Sequence, residues 1–274
     1  MATSRTEFPP VRAFLFDMDG LLFNTEEIYT VCANIVLERH GRPPLPWSVK
    51  ARMMSTPSSA SSGPFHAWAQ LPISREQWAK EVDEQQQLHF PDCKPLPGVE
   101  KLLSSLSDAR NTDGEEIQIA LASSSQKREF DLKASSPEAA RVLSAFSEDR
   151  RILGDDPRVR SGKPAPDIYL LALRVINSSL GEGNREITPE ECLVFEDSVP
   201  GAEAGRRAGM RVVWVPHPQL AAEFGGREKE VLAGRVGLVE IGDEWQLGEI
   251  DDGWAERLRS MGDFPYEKYG IKAS

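Results

Sequence analysis

An α/β fold is predicted, a parallel sheet with helices on both faces and an all-helical insert, and three observations predict it. Short apolar runs of β type alternate with segments of helical spacing, the order a parallel sheet requires. About a hundred residues, roughly Leu22 to Glu116, separate the first two runs, far more than a crossover needs. The runs end in carboxylates and serines, at the edge where such a sheet opens its ligand crevice.

The first strand is expected at Arg12–Phe16, an apolar run that stops on Asp17, Asp19 and Gly20. Glu26–Arg39 then has helical spacing, with Ile28, Val31, Ile35 and Val36 apolar, and a second helix is expected at Glu76–Leu88. Between them Met54–Pro64 is a low-complexity stretch, read as a mobile loop or an irregular helix start. Lys94–Gly98, with two prolines and a glycine, reads as a linker returning to the core. The division expected is therefore a core of residues 1–23 and 98–274 with a helical insert at 24–97.

Beyond the linker the alternation is regular. A helix is expected at Val99–Leu106, strands at Ile117–Ala122 and Ile152–Leu153, and a helix at Asp167–Val175. A strand at Leu193–Phe195, a helix at Val199–Gly209 and a strand at Val212–Val215 complete the pattern. Ser107–Glu116, Ser135–Arg141 and Asn177–Glu186 are hydrophilic and read as surface insertions. Past Pro216 the periodicity weakens; an edge strand is expected at Val236–Ile241 and a terminal helix at Trp254–Met261.

Composition narrows the function classes. Net charge −11 argues against a general nucleic-acid binder, which needs a basic surface to displace counterions. Cys32, Cys93 and Cys192 are widely spaced and fit neither a disulfide framework nor a metal-ligand spacing. Met1–Pro10 lacks the apolar core of a signal peptide, and no run suits a membrane span, so a cytoplasmic monomer without nucleic-acid or membrane partners is expected. His40, His66, His89 and His217 are dispersed, and Trp47, Trp68 and Trp78 are read as packing residues.

The strand ends carry the chemistry. Asp17 and Asp19 alternate on an extended backbone and so point the same way. Alone, that pair suits a metal site, an acid/base couple, or a nucleophile with its proton shuttle. The second strand ends in Ser123, Ser124 and Ser125, the fourth in Glu196 and Asp197, and Lys163 sits in a turn between Gly162 and Pro164. One acidic strand end is ordinary turn chemistry, but three polar strand ends and a turn lysine converging on one sheet edge are not. Carboxylates with a backbone oxygen suit magnesium when the substrate brings a phosphate. One aspartate can attack phosphorus while the other moves the proton, with Ser123 and Lys163 on the phosphoryl oxygens and Ser124 beside them.

Taken in order, Asp17-Met18-Asp19-Gly20, Ala122-Ser123, Gly162-Lys163-Pro164 and Glu196-Asp197 resemble the four motifs of the haloacid dehalogenase superfamily. The resemblance covers nearly the whole chain and implies a doubly wound, Rossmann-like core with a helical cap after the first strand. It implies Asp17 as nucleophile and Asp19 as general acid/base. It also implies magnesium held by Asp17, the Asp19 carbonyl and Asp197, with Glu196 in the outer shell. Leu153–Pro157, Ser161–Tyr169, Cys192–Asp197 and Phe264–Glu267 are similar to the eukaryotic pseudouridine-5′-phosphatase branch, which implies a phosphatase for a small sugar or nucleoside phosphate.

Two departures bear on substrate. Asn24 stands at a hinge where the family commonly has aspartate, and Met53–Ser59 lacks the glycine and basic residues that the cap usually presents. Arg52 is a candidate substrate contact there. A sugar phosphomutase would share the core, but Tyr29 stands about where that branch carries histidine. A dehalogenase needs neither Asp19 nor magnesium. A catalytically silent binding protein on this fold is the third alternative, and the intact motif set argues against it.

Overall fold

The computed structural model describes residues 8–55, 58–238 and 248–272. Strand β1 (Ala13–Phe16) is buried along its whole length. Its side chains alternate, so Phe14 and Phe16 enter one apolar cluster while Ala13 and Leu15 enter another on the opposite face. A strand covered on both faces needs a continuous apolar run, which is what this segment supplies. The other sheet strands are β2 (Gln118–Ala122), β3 (Arg151–Ile152), β4 (Cys192–Glu196), β5 (Arg211–Trp214) and β6 (Ala255–Arg257). They lie in the order β3-β2-β1-β4-β5-β6, all parallel, with Ala13 paired to Gln118 on one side and to Cys192 on the other.

The first five lie within one residue of the expected bounds. The sixth corrects two expectations. Ala255–Arg257 is the edge strand, where the sequence suggested a helix over Trp254–Met261. Three half-exposed residues, two of them charged, suit a sheet edge but carry no alternation to read. Val236–Leu238 is not a strand, and the rest of the expected Val236–Ile241 strand lies outside the described residues.

Helices cover both faces. Helix α5 (Val99–Ser107) turns Val99, Leu102, Leu103 and Leu106 onto the Phe14 cluster, and α8 (Asp167–Ser178) turns Ile168, Tyr169, Leu171 and Ile176 onto the other. The hydrophilic stretches are only partly loops. Ser136 caps α7 (Pro137–Leu143) by accepting a hydrogen bond from the Ala139 amide at 3.1 Å. Arg110–Asn111 pairs antiparallel with Ile271–Lys272 in a separate ribbon.

Between β1 and α5 the chain is helical: α1 (Thr25–Arg39), α2 (Trp47–Lys50), α3 (Ser58–Ala69) and α4 (Arg75–His89). Helix α3 resolves the low-complexity stretch as helix from Ser58, with Pro64 inside it. Phe65, Leu37 and Ala69 form a small core of their own, with Trp68 and Trp78 packed against it. The strands leaving and re-entering the sheet are tied together. The Asn24 amide donates to the Lys94 carbonyl at 3.0 Å, and the Lys94 amide donates to Asn24 Oδ1 at 2.7 Å. A further contact crosses to the sheet side, where the Trp47 ring stacks on His217 at 4.5 Å.

Candidate active site

The carboxyl ends of β1, β2 and β4 meet at one edge of the sheet. The Asp17 amide donates to the Phe195 carbonyl at 3.0 Å, so the ladder runs one residue past β1 and holds Asp17 against β4. The chain then turns at Gly20, whose φ of 77° favours glycine and whose missing side chain leaves room for Asp197 Oδ2, 2.1 Å from where a Cβ would stand. Gly201, in helix α9 (Val199–Arg207), does the same for Glu196; a Cβ there would lie 2.0 Å from its carboxylate. These two glycines let the carboxylates approach.

Lys163 is fully buried beside a cis peptide to Pro164. Its ammonium donates to Asp17 Oδ1 at 2.5 Å, Glu196 Oε1 at 2.6 Å and the Ala122 carbonyl at 3.0 Å. Burial works to lower its pKa, but Asp17 and Glu196 outweigh it and keep the lysine charged. Glu196 is fully occupied: Oε1 also accepts from the Tyr169 hydroxyl, and Oε2 from the Ser198 amide and hydroxyl. Burial, opposed by Lys163 and helped by Glu196 and Asp19, pushes the Asp17 carboxyl up to about 8. Burial beside Asp17 raises Asp197 well above the usual carboxylate range.

Asp19 is held differently. Its Oδ2 accepts from the Ser125 hydroxyl at 2.6 Å and the Ser123 hydroxyl at 3.2 Å, and its Oδ1 lies 2.6 Å from the Lys133 ammonium. Burial would raise this carboxyl, but Lys133 and the Ser125 and Thr25 hydroxyls hold it below the usual range. Of the predicted residues, Asp17, Asp19, Ser123, Lys163, Glu196 and Asp197 converge. Ser124 lies exposed beyond β2, and Arg52 is exposed on the turn after α2. Lys133, Ser125 and Tyr169 join the site, roles the sequence reading did not assign. Lys133 follows the buried Phe130 by three residues on helix α6 (Lys127–Lys133), a signal for an inward-facing position that a lysine ordinarily contradicts.

A metal fit rests on three atoms. Asp17 Oδ2 and both carboxylate oxygens of Asp197 are buried and accept no hydrogen bond. Asp17, Glu196 and Asp197 offer oxygens within 4.8 Å of one another. Unpaired buried carboxylate oxygens are costly, and a hard divalent cation with oxygen ligands is what compensates them. With Glu196 engaged elsewhere, Asp17 and Asp197 are the pair free to ligate. The residues present fit magnesium.

A parallel sheet covered by helices on both faces, with a lysine and carboxylates gathered at its carboxyl edge, defines a doubly wound α/β protein whose polar site lies at the strand ends. The chain belongs to the haloacid dehalogenase-like hydrolase family, whose model matches residues 14–215. It is 38% identical over 241 residues to a probable pseudouridine-5′-phosphatase of Saccharomyces cerevisiae, covering 87% of this chain and 96% of that one. It is 33% identical over 241 residues to (DL)-glycerol-3-phosphatase 1 of Arabidopsis thaliana, covering 87% and 74%. Among solved structures it is similar to a putative β-phosphoglucomutase from Thermotoga maritima, at 29% identity and a TM-score of 0.51 over 81% and 97% of the two chains. The chain is an enzyme of the phosphatase kind. Among the described residues no helix is long and apolar enough to cross a membrane.

Proposed function

We propose that the protein is a magnesium-dependent phosphomonoesterase acting through an aspartyl-phosphate on Asp17. The observation that carries this reading is the asymmetry of Asp17: Oδ1 is pinned by Lys163, while Oδ2 is buried with no hydrogen-bond partner, beside Asp197. The carboxylate is thus held through one oxygen and has the other unengaged by the protein. Asp17 attacks phosphorus, the P–O bond to the leaving group breaks, and its electron pair stays on the leaving oxygen, which takes a proton through Asp19. As Asp19 is held ionised in the free site, that proton enters with the phosphate monoanion. Water then attacks the same phosphorus and gives its proton to Asp19 while the bond between Asp17 and phosphorus breaks; its electron pair returns to Asp17 and inorganic phosphate leaves. Ser123 and Lys163 stabilise charge on the phosphoryl oxygens, with Ser124 at the rim. Asp17, Asp197 and the Asp19 carbonyl would hold magnesium, which would supply further charge neutralisation there. Glu196 acts from behind by holding Lys163.

Residues 24–97 serve, in this reading, as a cap over a core of 1–23 and 98–274, and its closure excludes bulk water. The substrate class is a small sugar or nucleoside monophosphate. The relatives named for pseudouridine 5′-phosphate and glycerol 3-phosphate support that range and make both compounds first choices for a panel. A phosphomutase is the less supported reading, since the Tyr29 hydroxyl is already engaged by Lys133 at 2.8 Å. The test is turnover of an aryl phosphate with and without magnesium. Metal-dependent turnover that falls by roughly 10⁴-fold or more in Asp17→Asn is expected; undiminished turnover in that variant would sink the mechanism.

A further inference from the structure

Lys133 belongs to neither the metal nor the phosphate machinery. It is fully buried at the end of α6, and its ammonium donates to Asp19 Oδ1 at 2.6 Å, Ser125 Oγ at 2.7 Å and the Tyr29 hydroxyl at 2.8 Å. The Tyr29 and Phe90 rings lie against it at 4.7 Å and 4.6 Å. Ser125 in turn donates to the second oxygen of Asp19, so one lysine and its serine grip both ends of that carboxylate. A buried ion pair is a poor device for stability alone, because desolvation offsets most of the attraction. Its position on the proposed proton shuttle asks for a chemical reason.

We propose that Lys133, braced by Tyr29, is a positioning residue for Asp19 in proton transfer to the leaving oxygen. The proposal rests on the reading of Asp19 as proton shuttle. As the proton passes on to that oxygen, the Asp19 carboxylate returns to its ionised form 2.6 Å from the ammonium that stabilises it. The serine and lysine also fix the torsion of the carboxylate, so the proton is presented in one direction. Tyr29 and Phe90 come from the two ends of the helical insert, and the Cys93 thiol donates to the Lys133 carbonyl at 3.3 Å. Lys133 is therefore held by the elements that border both linkers.

The consequence is selectivity by leaving group. An alkoxide leaving group needs the proton, whereas p-nitrophenolate departs as a stable anion. With the magnesium-loaded enzyme, first-turnover release of alcohol from an alkyl phosphate and of phenolate from p-nitrophenyl phosphate are compared by rapid quench. Lys133→Met is expected to lower the alkyl rate on the order of 10²-fold more than the aryl rate. Tyr29→Phe, which removes one oxygen and keeps the ring, is expected to shift the same ratio by a smaller factor, about 3- to 10-fold. In an Asp19→Asn background neither change should move the ratio further, since both act through that carboxylate. Equal losses on both substrates in both variants would overturn the proposal and leave Lys133 a packing residue. The reading of the site itself fails separately, by persistence of activity in Asp17→Asn.

Discussion

Asp17, Glu196 and Asp197 crowd three carboxylates against a single lysine, and the charge is unbalanced on the Asp197 side. Glu196 shares Lys163 with Asp17, whereas the Asp197 carboxylate accepts no hydrogen bond, and its backbone carbonyl accepts from the Trp214 indole at 2.8 Å. Asp197→Asn should therefore raise the thermal midpoint of the metal-free protein by relieving repulsion among buried carboxylates. It should also abolish stabilisation by magnesium, which in the parent reaches about 2.7 kcal/mol at a hundredfold excess over Kd. A calorimetric titration of both proteins checks each half. At this scale much of the site was legible, because an apolar run that stops on paired carboxylates is hard to mistake. Lys133 was not: its charge argues for solvent, and only the fold reveals that its helix carries it inward beside Phe130.

The elements that border the site differ in how they declared themselves. Strands β1, β4 and β5 were readable because burial along their whole length demands nearly continuous apolar runs, while β2 and the two-residue β3 showed only short apolar stretches. Strand β6 was hidden by Glu256 and Arg257, and α3 by its serines and an internal proline. The linkers could be placed from Lys94–Gly98, but not their coupling, since a hydrogen bond between residues 70 positions apart leaves no local pattern. Asn24→Ala removes the acceptor of the Lys94 amide while leaving the reverse backbone bond in place. A loss of about 0.5–1 kcal/mol is expected, with faster cleavage by a protease between residues 94 and 97. Unchanged cleavage and an unchanged melting midpoint would mean the side chain does not join the linkers.

Across the whole molecule, stability is anchored at the edge of the sheet remote from the chemistry as well. Glu191 is nearly buried at the start of β4 and accepts from Arg185 at 2.6 and 2.9 Å and from the Thr188 amide and hydroxyl at 2.9 Å each. Burial would raise its pKa, but these donors outweigh it and hold the carboxyl at about 2, below the ordinary 4.5. The unfolded chain then takes up the proton first. The stabilisation is complete above about pH 4.5 and is lost as the pH falls toward 2. Glu191→Gln should lower stability at neutral pH and flatten the acid limb between those values. Parallel pH–stability curves for parent and variant would remove Glu191 from the account.

The neighbours of β1 carry one more implication. Ala13 pairs with Gln118 on one side and with Cys192 on the other, roughly 180 residues downstream. As the chain leaves the ribosome, β1 emerges with both edges open, and the second edge stays open until β4 has been made. In that interval Phe14 and Phe16 lack the Phe195 ring on which they stack in the finished protein. The nascent chain thus carries an apolar strand with an open edge through most of its synthesis, and Asp17 acquires its companions only when translation is well advanced.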